Sequence, residues 1–201
     1  YDQPRTAMTP NVGSHEYWNS NIQVGMDIHN ISNSGARNNG SAFPELREIF
    51  YQENKPGYNI EGFYPDFWDH NSPQGGMSQE EYALFMAYGC VLNGGLPGYV
   101  WGDAYWAGAH YKTGDPHING FNRWSAAAMR HLTSFMLDTG HDYKTLKPGS
   151  ATHLVNNYDE FVALAISDDN RTALGMVTVV TTGSDIIIKD LPGSQKYQLE
   201  W

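Results

Sequence analysis

The chain has 201 residues, enough for one domain and a piece of another, and its 12 Lys and Arg against 22 Asp and Glu leave a formal net charge of −10. That balance argues against a nucleic-acid backbone or an anionic membrane surface as partner. Only 17% of residues are charged while 13% are aromatic, with six Trp and thirteen Tyr, a chemistry suited to gripping neutral, ring-shaped ligands.

Arg5-Thr6-Ala7-Met8 reads as a short strand closed by Thr9-Pro10-Asn11, and Ser14 to Trp18 as a helical turn. Asn21 to His29 reads as a strand, because Ile22, Val24, Met26 and Ile28 alternate; Asn30-Ile31-Ser32-Asn33-Ser34-Gly35 reads as a loop by composition. Phe43 to Tyr51 has helical spacing, with Phe43, Leu46, Ile49 and Phe50 on one face and Pro44 in the first turn. Lys55-Pro56-Gly57 ends that helix and feeds the strand Tyr58-Asn59-Ile60, which closes on Glu61.

Ser78-Gln79-Glu80-Glu81 is a capping box opening a helix to about Leu92, which Asn93-Gly94-Gly95 stops. Cys90, in the apolar part of that helix, is the only cysteine, so no intrachain disulfide or Cys-based metal site is available. Gly98 to Trp101 is a short strand leading into the loop Gly102-Asp103-Ala104-Tyr105-Trp106. Phe121 to Leu137 reads as a long helix burying Trp124, Ala128, His131, Leu132 and Phe135. After Pro148-Gly149 the pattern turns to period two. Glu160 to Ile166, Thr172 to Val180, Ile186 to Ile188 and Tyr197 to Leu199 are strand-like.

Strands recur at roughly thirty-residue spacing, the length of a βα unit. Four units are half of a (β/α)8 barrel, which takes about 250 residues to close. The expected fold is therefore α/β. Residues 1–147 supply the second half of a (β/α)8 TIM barrel (strands five to eight), and 148–201 begin a partial antiparallel β-domain. A companion chain or missing segment is expected to supply the first four strands. A compact doubly wound domain is the alternative, but it leaves the chemistry at each strand end unexplained.

In such a barrel the strand C-termini share one mouth. Glu61 ends one strand and opens into Gly62-Phe63-Tyr64-Pro65-Asp66-Phe67-Trp68, a carboxylate beside flat rings, as sugar hydrolysis requires. The plain alternative is a helix cap or a surface acid. Asp27 and His29 are expected at the end of the preceding strand, with His29 orienting the Glu61 carboxylate by a hydrogen bond. Trp101 is expected to floor a sugar site, with Trp68 and Trp106 flanking it, Tyr64, Asp27 and Asp103 also binding substrate, and Asp66, Asp69 and His70 bonding hydroxyl groups or satisfying the loop backbone; barrel-mouth packing is the structural alternative for the rings. Asp27 and His29 with Asp69, His70 and Asp103 form a competing metal reading, but no HExxH spacing supports it. No metal or other cofactor is expected, and Gly-x-Gly-x-x-Gly, P-loop and Gly-x-Ser-x-Gly motifs are absent.

Ser14-His15-Glu16-Tyr17-Trp18, Asp27-Ile28-His29, Lys55 to Glu61, Ala87-Tyr88-Gly89-Cys90 and Gly98 to Gly102, in this order and spacing, resemble the apiosidase-like glycoside hydrolases. The resemblance implies a retaining (β/α)8-barrel enzyme with a C-terminal β-domain, secreted or periplasmic, acting on a carbohydrate substrate. It matches Glu61 to the nucleophile of strand seven, His29 to a strand-six position that often contacts the nucleophile, and Trp101 to an aromatic of strand eight. The acid/base carboxylate would belong to strand four, upstream of Tyr1. Asp66 to His70 and Asp103 to Trp106 depart from the family pattern, which implies a different glycan. A non-catalytic carbohydrate-binding protein on the same scaffold and a metal-dependent hydrolase are the competing functions. No apolar run suggests membrane insertion.

Overall fold

The computed structural model describes residues 3–4, 27–32, 42–52, 56–61, 78–96, 124–137, 143–149, 162–177, 191 and 193. The expected elements at 5–8, 14–18, 98–101, 186–188 and 197–199 lie outside the described residues. The order is β1 (His29–Ser32), α1 (Ala42–Gln52), β2 (Gly57–Glu61), α2 (Gln79–Leu92), α3 (Trp124–Leu137), a 3-10 turn (Tyr143–Thr145), β3 (Leu146–Pro148), β4 (Val162–Ser167) and β5 (Ala173–Val177).

β1 and β2 are parallel neighbours joined by α1. The next strand position follows in chain order: Gly95 bridges Gly57 in parallel, and the Leu96 amide donates to the Gly57 carbonyl at 2.8 Å. A parallel sheet whose strands neighbour one another in chain order is wound in one direction, as a (β/α)8 barrel is. A doubly wound sheet reverses its order.

Helix α1 buries Phe43, Leu46 and Ile49 on β1, β2 and α2. Each such side chain stabilises by roughly 1.5–3 kcal/mol, more than any propensity difference within the helix. Phe50, expected on the same face, is 37% exposed and meets Tyr51 edge-on.

Helix α2 is apolar around most of its circumference because it is covered on two sides. Tyr82, Ala83, Phe85, Met86 and Cys90 join the core of the βα layer with Ile31 and α1, where Phe43 and Phe85 meet edge to face with centroids 5.2 Å apart. Ala87, Val91 and Leu92 face α3 and the second sheet. Its ends match the sequence reading. Ser78 Oγ accepts from the Glu81 amide at 3.2 Å, and the Ser78 amide donates to Glu81 Oε2 at 2.7 Å. The bond from the Ser78 amide, with the Ser78 hydroxyl adding to it, holds the Glu81 carboxyl below its usual range. The Asn93 side chain closes the other end on the Gly89 carbonyl at 2.7 Å, and Gly94 takes φ +91°, a region glycine enters without strain.

Helix α3 is rotated from its expected face. Leu132 and Met136 are its buried residues, helped by Met129 and Phe135, while Trp124 is 50% exposed and His131 is exposed. Of the expected residues Leu132 and Phe135 do pack, while Trp124 and His131 turn outward, so the packed stripe runs 129, 132, 136.

The antiparallel sheet has the order β3-β4-β5. Leu146 pairs with Ser167, and Ala163 with Met176. β3 straddles the expected boundary at 147/148. Ala163, Ala165 and Leu174 pack on α2 and α3, and the Tyr51 hydroxyl donates to the Pro148 carbonyl at 2.6 Å. The β4–β5 turn is organised by Asp169, whose Oδ1 accepts from Ser167 Oγ at 2.7 Å and from the Arg171 amide at 3.0 Å. Asn170 takes φ 56° there.

One glycine tests this packing. A Cβ on Gly89 would sit inside the Phe43 ring. Gly89→Ala should gain about 1 kcal/mol of helix propensity but lose more by displacing Phe43, overpacking costing roughly 1–3 kcal/mol. Denaturant unfolding should show net destabilisation of the variant; a stabilised protein would contradict the Phe43–Gly89 contact.

Candidate active site

The two faces of the β1–β2 pair can be told apart. A Cβ on Gly57 would lie 2.9 Å from Leu46 Cδ2, so this position faces α1. Two residues on, Asn59 Nδ2 donates to Cys90 Sγ of α2 at 3.3 Å, with both residues buried. Ile31 belongs to the same helix-side core. Strand alternation therefore puts Gly57, Asn59, His29 and Ile31 on the helix side, and Asn30 and Tyr58 on the opposite face, the interior of a barrel. Asn30 is fully buried, and burial of Tyr58 raises its hydroxyl pKa, with Cys90 adding to the effect.

The register then sets the ends. His29 pairs with Gly57, Asn30 with Tyr58, Ile31 with Asn59 and Ser32 with Glu61. One step on β1 is matched by two on β2, so Ile60 is an extra residue and the ladder is irregular just before Glu61. Such bulges change the strand's phase and recur beside active sites.

Glu61 is the last residue of β2, at its C-terminal end, as expected. His29 is the first residue of β1 rather than the last of a strand; its amide donates to the Pro56 carbonyl at 2.9 Å. At about 3.3 Å per residue, His29 lies about 10 Å along the strand from the level of Glu61. The expectation that His29 ends its strand is corrected on that ground. Asp27 lies in a bend before β1, exposed, still farther toward the N-terminal ends. The misplacement has a physical cause. Asn30-Ile31-Ser32 is loop-like by composition, yet Ile31 packs under α1 and α2, Asn30 is buried on the opposite face, and the run is strand. Ser32 and the buried amides of Asn30 and Asn59 are the neighbours that sequence reasoning missed, and Ile31 inside a polar run was the one signal for them.

Tyr64, Trp68, His70, Trp101, Asp103 and Trp106 lie outside the described residues, as do Asp66 and Asp69. Among the described residues no three His, Cys, Asp or Glu are grouped to hold a metal ion. No described helix is long and apolar enough to cross a membrane.

A cleft of about 370 Å³ opens between Phe50, Pro56, Leu96, Met136, Leu146 and Ala165. It adjoins the start of β2, the end opposite Glu61. In a barrel this face carries packing, while chemistry sits at the strand C-termini. Lys147, on its wall, pairs with Asp168 at 3.3 Å.

Comparison with known proteins is limited to the fold. No family model matches the chain, and no curated protein matches it. Solved structures that share its fold include a protein described as "Glycoside hydrolase" and a glycoside hydrolase family 5 protein from Bacteroides vulgatus ATCC 8482. Each is 16% identical over 83% of this chain, with a TM-score of 0.57. This chain covers 41% and 40% of those chains, about two fifths of their length. The likeness establishes an α/β architecture with parallel and antiparallel segments, part of a (β/α)8-barrel-like fold.

Cys90 is inert in this setting. Full burial pushes its thiol up to about 12, the Asn59 hydrogen bond pulling only partly the other way. Since the thiolate is the reactive form, a disulfide reagent at pH 8 should leave the native protein unlabelled and titrate one thiol after denaturation. Rapid native labelling would contradict the burial.

Proposed function

We propose that this chain is part of a retaining glycoside hydrolase acting on a polysaccharide or an oligosaccharide derived from one. The observation that carries the reading is the place of Glu61: a carboxylic acid residue at the C-terminal end of a parallel strand, in a sheet wound in chain order. The fold shared with glycoside hydrolases and the aromatic-rich segments after Glu61 and Trp101 support it. The apiosidase-like resemblance is the narrower form of the same proposal.

Glu61 attacks the anomeric carbon and forms a glycosyl ester as the glycosidic C–O bond breaks. A carboxylic acid about 5–5.5 Å away protonates the leaving oxygen, then takes a proton from the water that cleaves the ester. In this proposal that acid comes from a strand of the barrel half outside this chain. Tyr64, Trp68, Trp101 and Trp106 stack on sugar rings, and Asp103 and His70 bond hydroxyl groups. His29 and Asp27, at the other end of β1, take no part in the bond-breaking step. The protein works outside the cytoplasm, secreted or periplasmic, where polymeric carbohydrate is met.

Glu61→Gln keeps the shape and removes the nucleophile. In the full-length protein, kcat on an aryl glycoside panel should fall at least about a thousandfold, the order expected when a nucleophile is deleted, with an unchanged circular dichroism spectrum. Undiminished turnover would remove Glu61 from the reaction.

A further inference from the structure

The helix side of β2 is apolar except at one position. Gly57 packs on Leu46 and Ile49, and Ile31, across from Asn59, lies in the core of α1 and α2. Asn59 places a buried amide in that layer, where an apolar side chain of similar size would avoid the desolvation cost. Its Nδ2 donates to Cys90 Sγ at 3.3 Å. Apolar packing tolerates small slips of a strand, whereas a directional bond does not.

Cys90 is also tied to the other side of β2. Its carbonyl accepts from the Gly95 amide at 2.9 Å, and the adjacent Leu96 amide donates to Gly57 at 2.8 Å. Residues 57, 59, 90, 95 and 96 therefore form a closed circuit that locks β2 against the end of α2. The ladder irregularity begins on the residue after Asn59 and ends on Glu61. Strict alternation would carry 57, 59 and 61 to the helix side together. The extra residue falls between the fixed point at 59 and the end of the strand.

We infer that Asn59 is a positioning residue for Glu61, acting through its hydrogen bond to the Cys90 thiol, which anchors β2 immediately before the bulge. This rests on the reading of Glu61 as nucleophile. Loosening the anchor leaves sugar binding by the aromatic segments intact but misplaces the attacking carboxylate, and small misplacements of a reacting group cost up to about a hundredfold in rate.

The experiment compares Asn59→Ala, Cys90→Ala, Cys90→Ser and the double Asn59→Ala/Cys90→Ala in the full-length protein. Cys90→Ala should lower kcat about ten- to a hundredfold with KM within about twofold. Cys90→Ser, which keeps an acceptor, should recover most of the loss, and the double variant should be no worse than the poorer single one. Amide hydrogen exchange at Ile60 and Glu61 should accelerate in Cys90→Ala, while exchange at Leu164 to Ile166 stays unchanged. Unaltered kcat in Cys90→Ala, or equal losses in its Ala and Ser forms, would overturn the inference. If Asn59→Ala does not fold, the two Cys90 variants decide. If Glu61→Gln remains active, the reading of Glu61 as nucleophile fails by itself, and the exchange at Ile60 and Glu61 still decides whether the anchor exists.

Discussion

The parallel register between β1 and β2 sets where chemistry can occur in this chain. Ile31 opposite Asn59 is its fixed point, because both lie under α1 and α2. From that pair the rest follows by counting. His29 falls at the start of β1, Glu61 at the end of β2, and the extra residue between Asn59 and Glu61 changes the strand's phase where a carboxylate ends it. A slip of one residue would exchange the helix and interior faces of the whole strand.

Helix α2 makes that register durable. Polar only at its first turn, it buries one side in the βα layer and the other against α3 and β4. The same helix therefore supports the parallel strands and seats the antiparallel sheet. Tyr51, reaching from α1 to the Pro148 carbonyl, adds a second tie between the layers. The cleft at this junction opens at the strand N-termini, so it and Glu61, at the C-terminal end of β2, are separated by the length of a strand.

Local signals are legible in the sequence where a local mechanism produces them. Ser78 and Glu81 cap α2, and Asn93-Gly94 ends it, because each effect depends on backbone groups within four residues. The place of Glu61 is legible for a similar reason: a short strand-like run, Tyr58-Asn59-Ile60, ended by an acid. Faces and registers were less legible. Trp124 and His131 look buried by size and spacing, yet both are exposed, and α3 packs through Leu132, as expected, and Met136 into the cluster that holds Ala163 and Leu174. Asn30-Ile31-Ser32 looks like a loop, yet it is strand, with Ile31 packed under two helices, and His29 starts that strand, at the far end from Glu61. The partner that decides each case is distant in sequence, so the chain does not reveal it locally.

The central claim is that Glu61, and not the residues at the start of β1, forms the covalent bond to sugar. A 2-deoxy-2-fluoroglycoside with a good leaving group forms its ester on a retaining nucleophile and releases it slowly. Peptide mass mapping of the trapped full-length protein should find the sugar adduct on Glu61. An adduct on Asp27, or on any carboxylate other than Glu61, would contradict the account.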